Sequence, residues 1–317
     1  MPNRAKAPSG GPAVIAIDWG TSSFRVALAD ENGHTLARNK HPDGILTAAG
    51  RFAEVLRAAV APLYDEHGRL PILMCGMIGS RQGWHEAPYV HTPAHLSDLA
   101  ASLLTFEAPG VGPVSIVPGV DTRRPQGPPD VIRGEETQIL GALDVLGIDS
   151  ATFVHPGIHA KWIRVEQRAI VDFKTYMTGE VYGALKDHTI LGRMMDAAAQ
   201  SEVGFRRGID ASAAADAGPG ALLHLIFSAR TLGLFGELGP DQAASYLSGL
   251  LIGAEMRDAL RNVEGEIVIV GSQDLEQRYR LAASHLGVPS RTAPHDTAVP
   301  GLTAVARQAG LIGSQGP

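Results

Sequence analysis

The chain has 317 residues, 44% of them hydrophobic, which is enough apolar material for two domains of ordinary size. Its formal charge of −6, from 27 Lys and Arg against 33 Asp and Glu, provides no global basic field for nucleic acid, and the adjacent basic pairs are confined to Arg123-Arg124 and Arg206-Arg207. A single cysteine, Cys75, excludes an intramolecular disulfide and a multi-cysteine metal centre, and no uninterrupted 18-residue apolar stretch offers a membrane span.

The first twelve residues carry Arg4 and Lys6 but no apolar run, so they read as a loose tail and not as a signal peptide; a soluble, cytoplasmic protein is the expectation. Val14 to Asp18 is an apolar run ending in an acid. It is followed by a Gly-Thr-Ser loop, a strand at Phe24 to Ala29, a turn at Asp30 to Gly33 and a return strand, which together predict a hairpin. Phe52, Val55, Leu56, Ala59, Val60 and Leu63 keep a 3.6-residue period and predict a helix over 51–64. A buried strand at Ile72 to Gly76 leads into a glycine-rich, aromatic loop through Val90. Then come a helix over 95–104, a strand at Val114 to Gly119 and a Pro/Arg-rich excursion over 121–130. The acids of Gly134-Glu135-Glu136-Thr137 suit a helix N-terminus, and Gly147 marks its end.

At Thr152 the pattern restarts as strand, glycine loop, strand, turn and strand. Setting Gly20 over Gly157, an offset of 157 − 20 = 137 residues, aligns the order of elements though not the identities, and predicts a duplicated α/β core. Helices are expected over 181–185, 221–232 and, longest, 241–260, where Gly249 and Gly253 permit close packing. Glu266 to Gln273 is a strand-to-loop junction, with helices after it over 274–286 and 300–310. The domains expected are a tail over 1–12, an N-terminal lobe over 13–148 and a C-terminal lobe over 149–317.

Five places carry candidate chemistry. Asp18, at a strand end beside Gly20, Thr21 and Ser22, suits hydrated magnesium and phosphate, or else merely caps a hairpin. A second glycine loop, His155 to Lys161, could supply Gly157, His159 and Lys161 to phosphate, or serve structure alone; Pro156 and Gly157 defeat a helical zinc-site reading. Gly271 and Ser272 follow a buried strand, where glycine admits a ribose or base. Glu135 and Glu136 are the best general-base carboxylates, or else an acidic first turn. Trp84 and Tyr89 could wall a small-polyol site, or else pack their loop against the first lobe.

Taken in order, AIDWGTSSFR (16–25), GMIGSRQGW (76–84), RGEETQILGA (133–142), HPGIHAKW (155–162), MTGE (177–180), SGLLIGAE (248–255), IVIVGSQDLEQRYR (267–280) and HDTAVPGLTAVA (295–306) resemble the 2-dehydro-3-deoxygalactonokinase family. That family lies within the actin, hexokinase and Hsp70-like ATPase superfamily. The resemblance implies a two-lobed, ribonuclease H-like fold with an interlobe cleft. It implies ATP and Mg2+ as cofactors and phosphorylation of 2-dehydro-3-deoxy-D-galactonate on its 6-hydroxyl. It places Asp18 at the metal and Gly20, Thr21 and Ser22 at the first phosphate loop. The surroundings of Gly157 match the second phosphate loop, and Gly271-Ser272 the adenosine side. Glu135 or Glu136 is favoured as the base, together with Asp18 in the catalytic set, and because the substrate so implied carries a carboxylate, Arg25, Ser80 and Arg81 are the candidates to meet it. Ile158 stands where a hydroxyl-bearing residue is more familiar, so His159 or backbone N–H groups would have to serve. A kinase for a related acid such as 2-dehydro-3-deoxygluconate, or a phosphatase or polyphosphate hydrolase on the same fold, is the alternative. The partners expected are a small sugar acid and, in a homodimer, a second copy of the chain, with no nucleic acid and no membrane.

Overall fold

The computed structural model describes residues 10–313 except 126, 197 and 219, so the tail expected over 1–12 lies mostly outside the described residues. The chain forms two compact units. The first contains the residues up to Ser150, the hairpin segment Arg164–Phe173 and the chain from Ala293 onward; the second contains Ala151–Ile163 and Lys174–Thr292.

In the first unit the elements run β1 (Pro12–Trp19), β2 (Phe24–Asp30), β3 (Thr35–His41), α1 (Ile45–Ala48), α2 (Phe52–His67), β4 (Ile72–Cys75), β5 (Tyr89–His91), α3 (Leu96–Ala101), β6 (Leu104–Ala108), β7 (Gly112–Ile116), β8 (Gly119–Thr122), β9 (Asp130–Ile132) and α4 (Glu135–Leu146). Its large sheet has the order β3-β2-β1-β4-β7-β6, and a small sheet has the order β5-β8-β9. The β1–β2–β3 meander is antiparallel, whereas β4 lies parallel to β1 and β7 parallel to β4. Period-2 alternation explains how β1 works: Ile15, Ile17 and Trp19 join Leu56 and Val60 of α2 in one buried core. Gly147, in the left-handed conformation at φ 64°, ends α4 by donating to Asp144 O.

The second unit continues with β10 (Ala151–His155), β11 (Ala160–Glu166), β12 (Ala169–Tyr176), α5 (Thr178–His188), α6 (Glu202–Ala211), α7 (Ala221–Ile226), α8 (Ser228–Leu234), α9 (Pro240–Ala259), β13 (Ile267–Ile269), α10 (Gln273–His285) and β14 (Ser290–Thr292). Its sheet order, β12-β11-β10-β13-β14, repeats that of β3-β2-β1-β4-β7, and β13 is parallel to both β10 and β14. Val154, Ile267 and Ile269 from this sheet share a core with Phe205, Ile209 and Met256 from the helices.

The last helix, α11 (Ala298–Gln308), belongs to the first unit, although everything from 149 on was expected in the C-terminal lobe. The reason is a glycine-to-glycine crossing. A Cβ on Gly141 of α4 would overlap the Thr297 carbonyl, and one on Gly301 would overlap that of Thr137, so the two backbones touch where no side chain fits. The hairpin tip Arg164–Phe173 joins the same unit through the Ala94–Ile170 bridge and the Arg124–Asp172 ion pair at 2.7 Å.

Several boundaries differ from the sequence reading. The helix expected over 95–104 is α3 alone, because Leu104 already begins β6. The helix expected over 221–232 is two, α7 and α8, joined at Phe227. The strands β6, β8, β9 and β14 and the helices α1 and α6 were not anticipated, and the loop expected through Val90 ends in strand β5, because Tyr89–His91 pairs with β8.

Candidate active site

In the first unit the loops after β1 and β4 leave the carboxyl ends of two adjacent parallel strands, where Asp18 is in register with Cys75. Three glycines let backbone stack there. A Cβ on Gly76 (φ 90°) would stand 2.9 Å from Trp19 O and 3.3 Å from Asp18 Oδ1, and one on Gly134 (φ 105°) 3.1 Å from Gly76 Cα. A Cβ on Gly44 would overlap the backbone of Thr21 and Ser22, and Ile45 N–H donates to Gly20 O at 3.0 Å, so α1 supports the first loop from behind. Gly20 itself has no such need: its Cβ would meet only Ser23, at 3.7 Å. The fold does not require glycine at 20, and the missing side chain leaves room beside the exposed Thr21 and Ser22. Asp18 holds Arg25 Nη1 at 2.7 Å, so Arg25 is engaged with the acid and braces it.

The stacked glycines join this loop to the start of α4. Glu136 is fully buried, and both its oxygens accept from Gly134 N–H, at 2.9 and 2.7 Å, while Thr137 Oγ1 donates at 3.1 Å. Burial pushes its carboxyl up to about 7, and the neighbouring Glu135 charge adds to the rise. Glu135 is half-buried and accepts from Arg133 N–H at 2.9 Å. Cys75 sits buried in the same cluster. Desolvation, then Asp18 and Glu136, drive its thiol well above the ordinary range, which makes it an inert core residue.

The loop from Gly76 to Tyr89 turns through a 3₁₀ segment, Met77–Gly79, and Trp84 N–H closes it onto Ile78 O at 2.9 Å. Trp84 points into an aromatic cluster, with ring centroids 5.0 Å from Phe106 and 6.1 Å from Phe52, so packing accounts for this indole. Arg81 is 82% exposed and pairs with Glu86 at 3.2 Å. Tyr89 lies over the guanidinium of Arg133, 4.3 Å from Cζ to the ring centroid. Ser80 is buried, and its Oγ has no hydrogen-bond partner. Arg133 was legible only as a neighbour of the glutamates; Gly44, Gly76 and Gly134 gave no individual signal.

The second unit assembles the other loops. Gly157 follows β10 and Gly271 follows β13, at the carboxyl ends of neighbouring parallel strands, and a Cβ on Gly271 would stand 3.3 Å from Pro156 Cδ. Gly157, like Gly20, has only an ordinary contact, with His159 O at 3.5 Å. Its loop is held by α5: Glu180 N–H donates to Ile158 O at 3.0 Å, and His159 Nε2 meets Glu180 Oε2 at 2.5 Å. Lys161, expected to face phosphate, is buried on β11 and donates to His159 O at 3.1 Å, which steadies the loop from within. Ser272 occupies the N-cap position of α10 without a side-chain cap bond. Behind the loop, the buried carboxylate of Glu255 accepts from Trp162 Nε1 at 2.8 Å, from Tyr279 OH and from Thr178 Oγ1. Burial raises this carboxyl too, against those three donors.

Among the described residues no three His, Cys, Asp or Glu gather into a metal cage, and no helix is long and apolar enough to cross a membrane. The two basic pairs are matched by acids: Arg123 by Asp121, Arg124 by Asp172, Arg206 by Glu202 and Arg207 by Glu237.

A five-strand order common to both sheets, each with glycine loops at the carboxyl ends of its parallel strands, is the fold of the actin, hexokinase and Hsp70-like ATPase superfamily. A model of the family described as 2-keto-3-deoxy-galactonokinase matches residues 18–305, and the chain belongs to that family. It is 39% identical over 298 residues to a probable 2-dehydro-3-deoxygalactonokinase of Rhizobium meliloti (strain 1021), covering 92% of this chain and 96% of that one. It is 33% identical over 288 residues to the 2-dehydro-3-deoxygalactonokinase of Escherichia coli (strain K12), covering 90% and 94%. The crystal structure of a candidate 2-dehydro-3-deoxygalactonokinase from Sinorhizobium meliloti is similar at a TM-score of 0.84 and 38% identity, over 93% of this chain and 98% of that one. A dehydratase activator from Clostridium difficile shares the fold alone, at a TM-score of 0.50 and 10% identity over 94% of each chain.

Proposed function

We propose that the protein transfers the γ-phosphoryl group of ATP to the 6-hydroxyl of 2-dehydro-3-deoxy-D-galactonate, giving ADP and the 6-phosphorylated acid. The observation that carries this reading is the glycine-stacked convergence of Asp18 and the Glu135–Glu136 turn in a chain of this family. The common strand order supports a duplicated core, with glycine loops at the strand ends of each unit.

Magnesium-bound ATP supplies the transferable group and an offset for its negative charge. The residues present fit it: a carboxylate at Asp18, exposed hydroxyls at Thr21 and Ser22, and at Gly20 a space that a Cβ would fill. A single carboxylate suits an ion that keeps most of its water, and Asp18 would hold it from this position. Gly157 and the backbone after it would cradle the phosphates from the second unit, with Gly271 and Ser272 beside the nucleoside. Glu135 is the acceptor-activating base. It is half-buried and can reach a hydroxyl, whereas Glu136 is sealed. As the new O–P bond forms, Glu135 takes the proton of the 6-hydroxyl, and the bond to the ADP oxygen breaks. Among the described residues both adjacent basic pairs are matched by acids, which favours the kinase over a hydrolase that would hold a polyphosphate chain on a basic run.

Incubation with ATP, magnesium and the acid should release ADP one-for-one with a phosphomonoester on C6, read by coupled assay and phosphorus NMR. Background ADP release at millimolar acid overturns the reading. The 2-dehydro-3-deoxygluconate epimer in a parallel assay decides the stereochemistry, and acceptor-free polyphosphate cleavage would support the hydrolase instead.

A further inference from the structure

Arg133 is a buried cation whose charge is only partly met. The residue is 9% exposed, and its Nη2 donates to Ala87 O at 2.8 Å. One face of the guanidinium lies under the Tyr89 ring, yet Nε and Nη1 are buried without a hydrogen-bond partner. Ser80 Oγ, in the loop that carries Ala87 and Tyr89, is a third buried polar atom in that condition. The chain at Gly79, the residue before Ser80, passes the guanidinium closely, for a Cβ there would stand 3.0 Å from Arg133 Nη1. Buried donors left unmade beside a full charge are unfavourable until an acceptor, best an anionic one, completes them. The other arginines of the region are already engaged, Arg25 with Asp18 and Arg81 with Glu86.

We propose that Arg133, assisted by Ser80, receives the carboxylate of the sugar acid, an assignment that rests on the sugar-acid kinase reading above. A guanidinium with two open N–H groups offers a carboxylate the planar, paired geometry that a lysine lacks. The anchor and the base sit at opposite ends of one side chain. The guanidinium holds the acid end, while the Arg133 backbone N–H holds Glu135, which serves the far hydroxyl. Tyr89 is the cover. It is 38% exposed on β5, an edge strand paired only with β8, so an incoming carboxylate reaches the guanidinium by displacing the ring.

The test uses the full chain, Arg133→Met, Ser80→Ala and pyruvate, which carries only the 2-oxo acid end of the substrate. Arg133→Met should raise KM for the acid by about 10²-fold or more and leave KM for ATP within about twofold, since it removes a charged contact to one substrate only. Ser80→Ala should raise the same KM by several-fold with an unchanged melting temperature, because its Oγ makes no bond within the protein. Pyruvate should raise the melting temperature of the parent protein and not that of Arg133→Met. An unchanged KM for the acid in a folded Arg133→Met overturns the assignment and leaves the kinase reading standing. If Arg133→Met does not fold, Ser80→Ala with parental KM and a parental pyruvate response overturns it. If the parent phosphorylates no sugar acid, the kinase reading fails, while a pyruvate response that depends on Arg133 still supports the anion site; no response in the parent overturns it.

Discussion

Glu135 and Glu136 are adjacent in sequence, yet one can reach solvent and the other cannot, and the two should answer mutation differently. Glu135→Gln should lower kcat by roughly 10²–10⁴-fold with both substrates still bound, the usual worth of a positioned base; less than a tenfold loss in a steady-state assay would move the role elsewhere. Glu136 bears instead on stability. Its carboxyl is raised to about 7 when folded, so the folded state binds the extra proton. That contribution is present below the ordinary carboxylate range and is lost as pH rises to 7, amounting to at most about 3 kcal/mol. Chemical denaturation at pH 5 and pH 8 should show this loss in the parent and not in Glu136→Gln, and parallel pH profiles for the two proteins would refute it. Trp84→Ala should cost about 3 kcal/mol of stability through the emptied aromatic cluster, with KM for the acid little changed. The sequence could propose Trp84 and Lys161 as ligands because residue type carries chemistry. It could not show that Phe106 and the His159 carbonyl had already engaged them, since those partners come from other strands or other parts of a loop. Asp18 and the two glutamates were legible because each stands at an element end, where pattern and chemistry coincide.

Helix periodicity was readable where an apolar stripe faces a sheet, as in α2, whose Phe52, Leu56 and Val60 are buried. It failed for α6, which meets α9 through glycines. A Cβ on Gly208 would overlap Tyr246 O, and one on Gly249 would overlap Phe205 O, so backbone supplies part of the contact and Phe205 and Ile209, four apart, are the large apolar side chains that mark the buried face. The strands β8, β9 and β14 are three or four residues long, too short for alternation to register. Glycine crossings of this kind make a sharp prediction. Gly141→Ala adds one methyl group where α4 touches the chain entering α11, and neither backbone can yield without moving its helix. A loss of about 1–3 kcal/mol or more is expected in denaturant titration, with the sign opposite to that of an ordinary Gly→Ala change inside a helix. A stabilised variant would show that the helices separate freely.

The path of the chain between the two units has its own consequence. The first unit is discontinuous: α11 returns to it after the second unit is complete, and there it lies against α4 and β1. The helix buries Val299, Leu302 and Val305, and a Cβ on Gly33, in the β2–β3 turn, would stand 2.9 Å from Pro300 Cα. Burying an aliphatic side chain is worth about 1.5–3 kcal/mol, so these three together approach the whole stability of a typical domain, about 5–15 kcal/mol. Their loss should therefore fall on the N-terminal residues, remote in sequence from the cut. A chain ended after Thr292 should lose protease resistance in the β1–β4 region while peptides from α9 and α10 stay protected, as followed by limited proteolysis with mass mapping. Supplying residues 293–317 as a separate peptide should restore protection to the β1–β4 region, because the lost contacts are packing and need no covalent link. Cleavage confined to the new C-terminus would mean that the first unit stands without α11, and the sequence boundary at 148/149 would then be the energetic one.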